Sequence, residues 1–177
     1  MINTDNISRT KLMVLTALLF AVALVLSVVE NSLPSISFFL PVPGVKLGLS
    51  NIAVMYALFF LNRKPAFIIA VLKATFVLIT RGPMAGLLSL SGGVLSVLVM
   101  TILIFVFKEK ISYLILSIFG SITHNIGQFA VVSLIYSGIY LWAYLPILLI
   151  SGVIAGIATS ILLRFILPAF NRLVLNK

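Results

Sequence analysis

Cysteine is absent from this 177-residue chain, and acidic residues nearly so. Without thiols there is no disulfide framework, no thiolate metal site and no cysteine nucleophile. The acidic side chains are three, Asp5, Glu30 and Glu109. With Asp5 as the sole aspartate, no carboxylate cluster exists to hold Mg²⁺ on a diphosphate substrate. A single histidine, His124, leaves zinc catalysis and a serine triad short of parts. No G-x-x-x-x-G-K-[ST] loop occurs, so the chain does not drive transport with ATP by itself. The expectation is a protein that is not an enzyme and holds no metal or cofactor of its own.

Apolar side chains dominate instead, at 62% against 8% charged, and the mean hydropathy is +1.30. Such a chain belongs in lipid. A membrane helix needs roughly 20 apolar residues, so this length holds about six or seven spans and no extramembrane domain. A lipid-facing β-barrel would alternate apolar and polar residues over ~10-residue segments, whereas the apolar runs here are continuous. The net charge of +9 comes from basic residues scattered in ones and twos between those runs, which suits membrane topology better than nucleic acid.

The runs predict an all-α integral membrane protein, a six-helix bundle forming one transmembrane domain over 1–177, with spans at about 10–29, 48–61, 66–80, 84–107, 111–136 and 144–167. The first has a basic lead-in but no small-residue cleavage site before Glu30, so it reads as a retained helix rather than a signal peptide. The second and third are short, roughly 21 to 23 Å at 1.5 Å per residue, and are not expected to cross lipid as plain helices. The segment 34–44 is apolar enough to fold back as a cap on the outer mouth.

Lysine and arginine set the orientation, because cytoplasmic loops retain positive charge. With the N-terminus inside, Arg9, Lys11, Arg63, Lys64, Lys108, Lys110, Arg164, Arg172 and Lys177 fall on the cytoplasmic side, and only Lys46 and Arg81 outside. Both termini of this multi-pass cell-membrane protein are therefore expected in the cytoplasm. Tyr136, Tyr140, Trp142 and Tyr144 then mark the outer interface as an aromatic belt.

Against this background a few polar residues stand out. Lys73 falls inside the third span, where a charge is costly unless something compensates it; it either faces a polar cavity or pairs with Glu30. His124, Asn125 and Gln128 place several hydrogen-bonding groups at one level of the fifth span, as ligand contacts or as interhelical bonds worth ~0.6 kcal/mol each. The stretch from Pro41 to Asn51 forces irregular backbone where the chain re-enters the membrane. Lys46, Ser50 and Asn51 there suit an anionic ligand or a plain helix cap. Ser89 to Gly93 supply small residues for close approach, and Ala17 and Ala21 form a small-xxx-small pair on the first span. The expected lining of an outward-opening cavity for a small anionic or amphipathic molecule is Lys73, Asn51, His124, Asn125 and Gln128, with Glu30 and Lys46 near its mouth.

Val29-Glu30, Leu33-Pro34, Pro43 to Ile52, Ser89 to Gly93, Met100 and His124 to Gln128 together resemble the Gx transporter family, often labelled heptaprenyl diphosphate synthase component I, over almost the whole chain. That family is similar to the substrate-binding S components of energy-coupling factor (ECF) transporters. The resemblance implies a six-helix bundle that captures a vitamin-sized molecule from outside and docks, through Ala17 and Ala21, on a membrane subunit driven by two ATPases. The prenyl-synthase label implies instead a noncatalytic membrane partner in prenyl diphosphate or quinone metabolism, since the aspartates of such transferases are missing. A third implication is a membrane component of flavin- or quinone-linked electron transfer at the cell surface. With no haem or iron–sulfur ligand set, that role would need a bound organic cofactor. The substrate is not legible.

Overall fold

A computed structural model describes residues 8–32, 50–107, 111–135 and 140–175. They form α1 (Arg9–Ser32), α2 (Asn51–Tyr56), α3 (Arg63–Arg81), α4 (Pro83–Phe107), α5 (Tyr113–Ile135) and α6 (Tyr140–Leu175), and no strand occurs among them. The cap expected at 34–44 and the mouth residue Lys46 lie outside the described residues.

Four stretches, Arg9–Glu30, Pro83–Phe107, Tyr113–Ile135 and Leu145–Phe165, are long and apolar enough to cross a membrane. Their outward faces carry large apolar side chains such as Val14, Val25, Ile102, Phe105 and Phe165. This is the surface a bundle presents when lipid is its solvent.

The two short expected spans depart from that pattern for different reasons. α2 is continued by a wider π turn over Ala57–Leu61, closed by the bond from the Asn62 amide to the Ala57 carbonyl at 3.0 Å. Backbone that leaves the α-helical pattern survives at membrane depth only where protein surrounds it. Here Asn51 to Leu58, Phe60 and Leu61 are all buried among the other helices. Asn62 then turns fully extended, and its side-chain oxygen accepts the Arg63 amide at 2.8 Å, capping α3. That cap draws Arg63, Lys64 and Pro65 into the first turn, where a proline needs no donor. The expected connection at 62–65 thus shrinks to one residue, and the third helix lengthens from 66–80 to Arg63–Arg81.

A single residue also joins α3 to α4. Gly82 adopts φ 88°, ψ 174°, a conformation open to glycine alone, and Pro83 starts the next helix with its preset φ. α3, α4, α5 and α6 consequently pack in sequence as antiparallel neighbours, while α1 lies on α3 and α2, and α2 also meets α6. α4 and α5 approach backbone to backbone: a Cβ added at Gly127 would stand 2.8 Å from the Ser91 carbonyl oxygen and 2.9 Å from the Gly92 Cα. The end of the bundle where α3 begins is filled by aromatic rings. Tyr56 stacks on Phe60 at 4.7 Å, Phe59 meets Tyr113 edge-on at 4.7 Å, and Arg63 sits over Phe105.

Candidate ligand-binding site

The opposite end, where α1 and α3 finish, gathers the polar side chains. Residues three or four apart on a helix share a face, and four helices each turn such a face inward, joined by Ser50. α1 contributes Ser27 and Glu30; Ser50 precedes α2; α3 supplies Lys73, Val77 and Arg81; α4 supplies Ala85, Leu88 and Ser89; α5 supplies His124 and Gln128. Together they line a cavity of about 70 Å³.

Lys73 is buried, 4% exposed. It stands eight residues before Arg81 and ten after Arg63, or about 12 Å and 15 Å along the axis, so its charge is held near the middle of α3. The ammonium donates to the Asn51 Oδ1 at 2.7 Å and the Ser50 Oγ at 3.1 Å. These bonds tie the start of the buried α2 to α3. Placing a lysine at mid-membrane costs about 2.5–3.5 kcal/mol, and two neutral acceptors with a polar cavity offset part of that.

Arg81 bridges to α1, its guanidinium donating to the Ser27 carbonyl, with the Ser27 hydroxyl 3.4 Å away. At this end of α3, beyond the apolar run, burial lowers the Arg81 pKa and the Glu30 carboxylate raises it. Arginine remains cationic throughout the physiological range. On α5 the Gln128 amide nitrogen lies 3.2 Å from the His124 Nε2. The donor and acceptor roles in this pair follow the tautomer of the ring. The ring is wedged against α4: a Cβ on Gly92 would come within 2.8 Å of Nδ1.

The structure thus brings Lys73, His124, Gln128 and Glu30 to one cavity, while Asn51 acts through Lys73. It does not bring Asn125 there. The Asn125 amide donates to the Leu148 carbonyl at 2.9 Å and the Ser151 hydroxyl at 3.3 Å, fastening α5 to α6. Its expected place in the lining is corrected on that ground, because a helix turns about 100° per residue and the neighbour of His124 faces a different helix. Asn125→Ala is expected to cost about 0.6–1.5 kcal/mol, seen as a lower melting temperature in detergent, with ligand binding unchanged. Ala17 and Ala21 lie on the exposed side of α1. Trp142 is exposed and meets Phe129 edge-on at 5.4 Å. Arg81 and Ser27 were not expected in the site. The signal for Arg81 was its spacing from Lys73, since residues 73, 77 and 81 share one helical face.

Fold and site together define a helical membrane protein with a small cavity, holding several polar and charged side chains in its walls, at one end of its bundle. Residues 19–166 match the sequence model of the heptaprenyl diphosphate synthase component I family, and the chain belongs to that family. No curated protein and no solved structure matches it.

Proposed function

We propose that the chain is a noncatalytic, membrane-embedded binding subunit that captures a small molecule for uptake and works with a separate ATP-driven energy-coupling module. The observation that carries this reading is the cavity shared by four helices and Ser50, with Lys73, Arg81, Glu30, His124 and Gln128 in its walls. These groups also bond within the protein, Lys73 to Ser50 and Asn51, Arg81 to Ser27 and Gln128 to His124, and the cavity lies between them.

The positive-inside rule assigns the cavity to the outer side. Arg9, Lys11, Arg63 and Lys64 all stand at the other end of the bundle, which supports a cytoplasmic orientation for that end. Aromatic rings pack the cytoplasmic end, so inward release calls for work by a partner. The exposed Ala17 and Ala21 offer that partner a flat strip on α1. The family's description favours a second reading, a noncatalytic membrane partner of prenyl diphosphate metabolism, for which the cavity's cations would meet a diphosphate.

Purification from native membranes tests the choice. The uptake reading expects an ATPase module to accompany the chain, and vesicles to accumulate solute only when that module and ATP are present. Prenyl transfer by the purified chain alone would overturn it.

A further inference from the structure

We infer that α2 and its π turn form a relay between the cavity and the opposite end of the bundle. When the Lys73 ammonium is drawn away from Ser50 and Asn51, the π turn at Ala57–Leu61 loosens and the exposed corner at 62–64 rearranges. This rests on the binding reading above, since a guest in the cavity supplies the pull.

The upper end of the path is already part of the site. Lys73 and Ser50 both line the cavity, and Lys73 holds the start of α2 through Ser50 at 3.1 Å and Asn51 at 2.7 Å. A guest seated between them draws on the same hydroxyl and the same ammonium. Further ties on the ammonium leave that competition in place. From there the six residues of α2 and the five of the π turn reach about 16 Å along the bundle at 1.5 Å per residue. Every step of the path lies within the described residues.

Two features let this segment move as a unit. Ile52, Val54, Leu58 and Leu61 join the hydrophobic core, so much of its contact with the other helices is non-directional. Midway, the Ser117 hydroxyl donates to the Met55 sulfur at 3.1 Å, which is a weak acceptor. The lower end changes hydrogen-bond pattern within a few residues. The Ala57 amide is shared between the Ala53 and Val54 carbonyls, and the Asn62 amide reaches back five residues to Ala57. A π turn holds one residue more than an α turn, so converting one to the other exchanges bonds while advancing the chain by about 1.5 Å and 100°. Packed interiors favour such discrete alternatives over gradual deformation. The frame around α2 is fixed by contrast: a Cβ at Gly127 or Gly156 would meet the backbone of a neighbouring helix at 2.8 or 2.5 Å. Movement therefore emerges at Asn62, whose Oδ1 caps Arg63, and Arg63 in turn sits over Phe105 of α4. A partner at that face meets whichever arrangement the cavity sets.

The test uses the full chain in phosphatidylcholine nanodiscs, with backbone hydrogen exchange read by mass spectrometry. Lys73→Met stands for the ammonium drawn away. It is expected to speed exchange at 57–62 about tenfold, in line with the loss of bonds to a charged group, and to leave 113–135 at the wild-type rate. Ser50→Ala keeps the lysine and should give a smaller rise at the same residues. Asn125→Ala, which breaks side-chain bonds between α5 and α6, should leave 57–62 unchanged. A rise confined to 51–56 would overturn the relay, as would an equal rise at 113–135 or in Asn125→Ala. Should Lys73→Met not fold, Ser50→Ala decides: unchanged exchange at 57–62 overturns the relay. No guest takes part in these measurements, so their failure leaves the binding reading intact. A native chain that retains no small molecule would overturn the binding reading, and with it the relay, whose input it removes.

Discussion

Lys73→Met is expected to insert and fold while its affinity for the ligand falls about a hundredfold. A hydrogen bond to a charged group contributes about 1.5–3 kcal/mol, and each 1.4 kcal/mol is a factor of ten in binding. Folding should survive because two effects of the substitution oppose each other. The Ser50 hydroxyl and the Asn51 carbonyl lose their donor, at about 1–3 kcal/mol for each buried group left unsatisfied. Removing the ammonium relieves a burial penalty of several kcal/mol. Methionine, one atom shorter than lysine, fills most of the same path, so no large void opens beside α2. Gel filtration and circular dichroism report the fold, and calorimetry or native mass spectrometry the binding. Retained binding in a protein that no longer folds would assign Lys73 to architecture alone.

Gly127→Val is expected to lower stability sharply. A Cβ at this position stands 2.8 Å from the Ser91 carbonyl oxygen and 2.9 Å from the Gly92 Cα, closer than a carbon can approach backbone. No rotamer change relieves such a contact, because both partners belong to the main chain of α4. The two helices must part, at a cost at or above the upper end of the roughly 1–3 kcal/mol usual for overpacking. The displacement also reaches the site, since Gly92 abuts the His124 ring. Thermal unfolding should register the loss, with ligand binding reduced alongside it. An unchanged melting temperature would show that α4 and α5 do not meet so closely.

Much of the fold was legible because lipid imposes a simple rule on sequence. α4 and α5, expected at 84–107 and 111–136, span Pro83–Phe107 and Tyr113–Ile135; each is a long apolar run bounded by charge, proline or glycine. α3 extends beyond the expected 66–80 because Asn62 stops one helix and caps the next within a single residue, which hydropathy does not register. α6 also exceeds the expected 144–167: it runs to Leu175 past Pro168, where loss of one hydrogen bond does not end a helix otherwise able to continue.

The site was legible in part for related reasons. Lys73 stood out by depth alone, and His124 with Gln128 by sharing a face. Asn125 belongs to the same short motif but points to α6, and only the packing of α5 decides that. Arg81 was missed because an arginine at a helix end serves membrane topology equally well. Its bridge to Ser27 joins residues 54 positions apart, a pairing that local pattern cannot supply.

The claim on which the account depends is that this cavity holds a small molecule in the native protein. Native mass spectrometry of the chain released from nanodiscs made from its own membrane addresses it most directly. The account predicts the 19.2 kDa chain carrying one additional mass of a small anionic compound, absent from Lys73→Met and present in Asn125→Ala. A bare chain in the wild type, or an adduct of equal abundance in Lys73→Met, would contradict it.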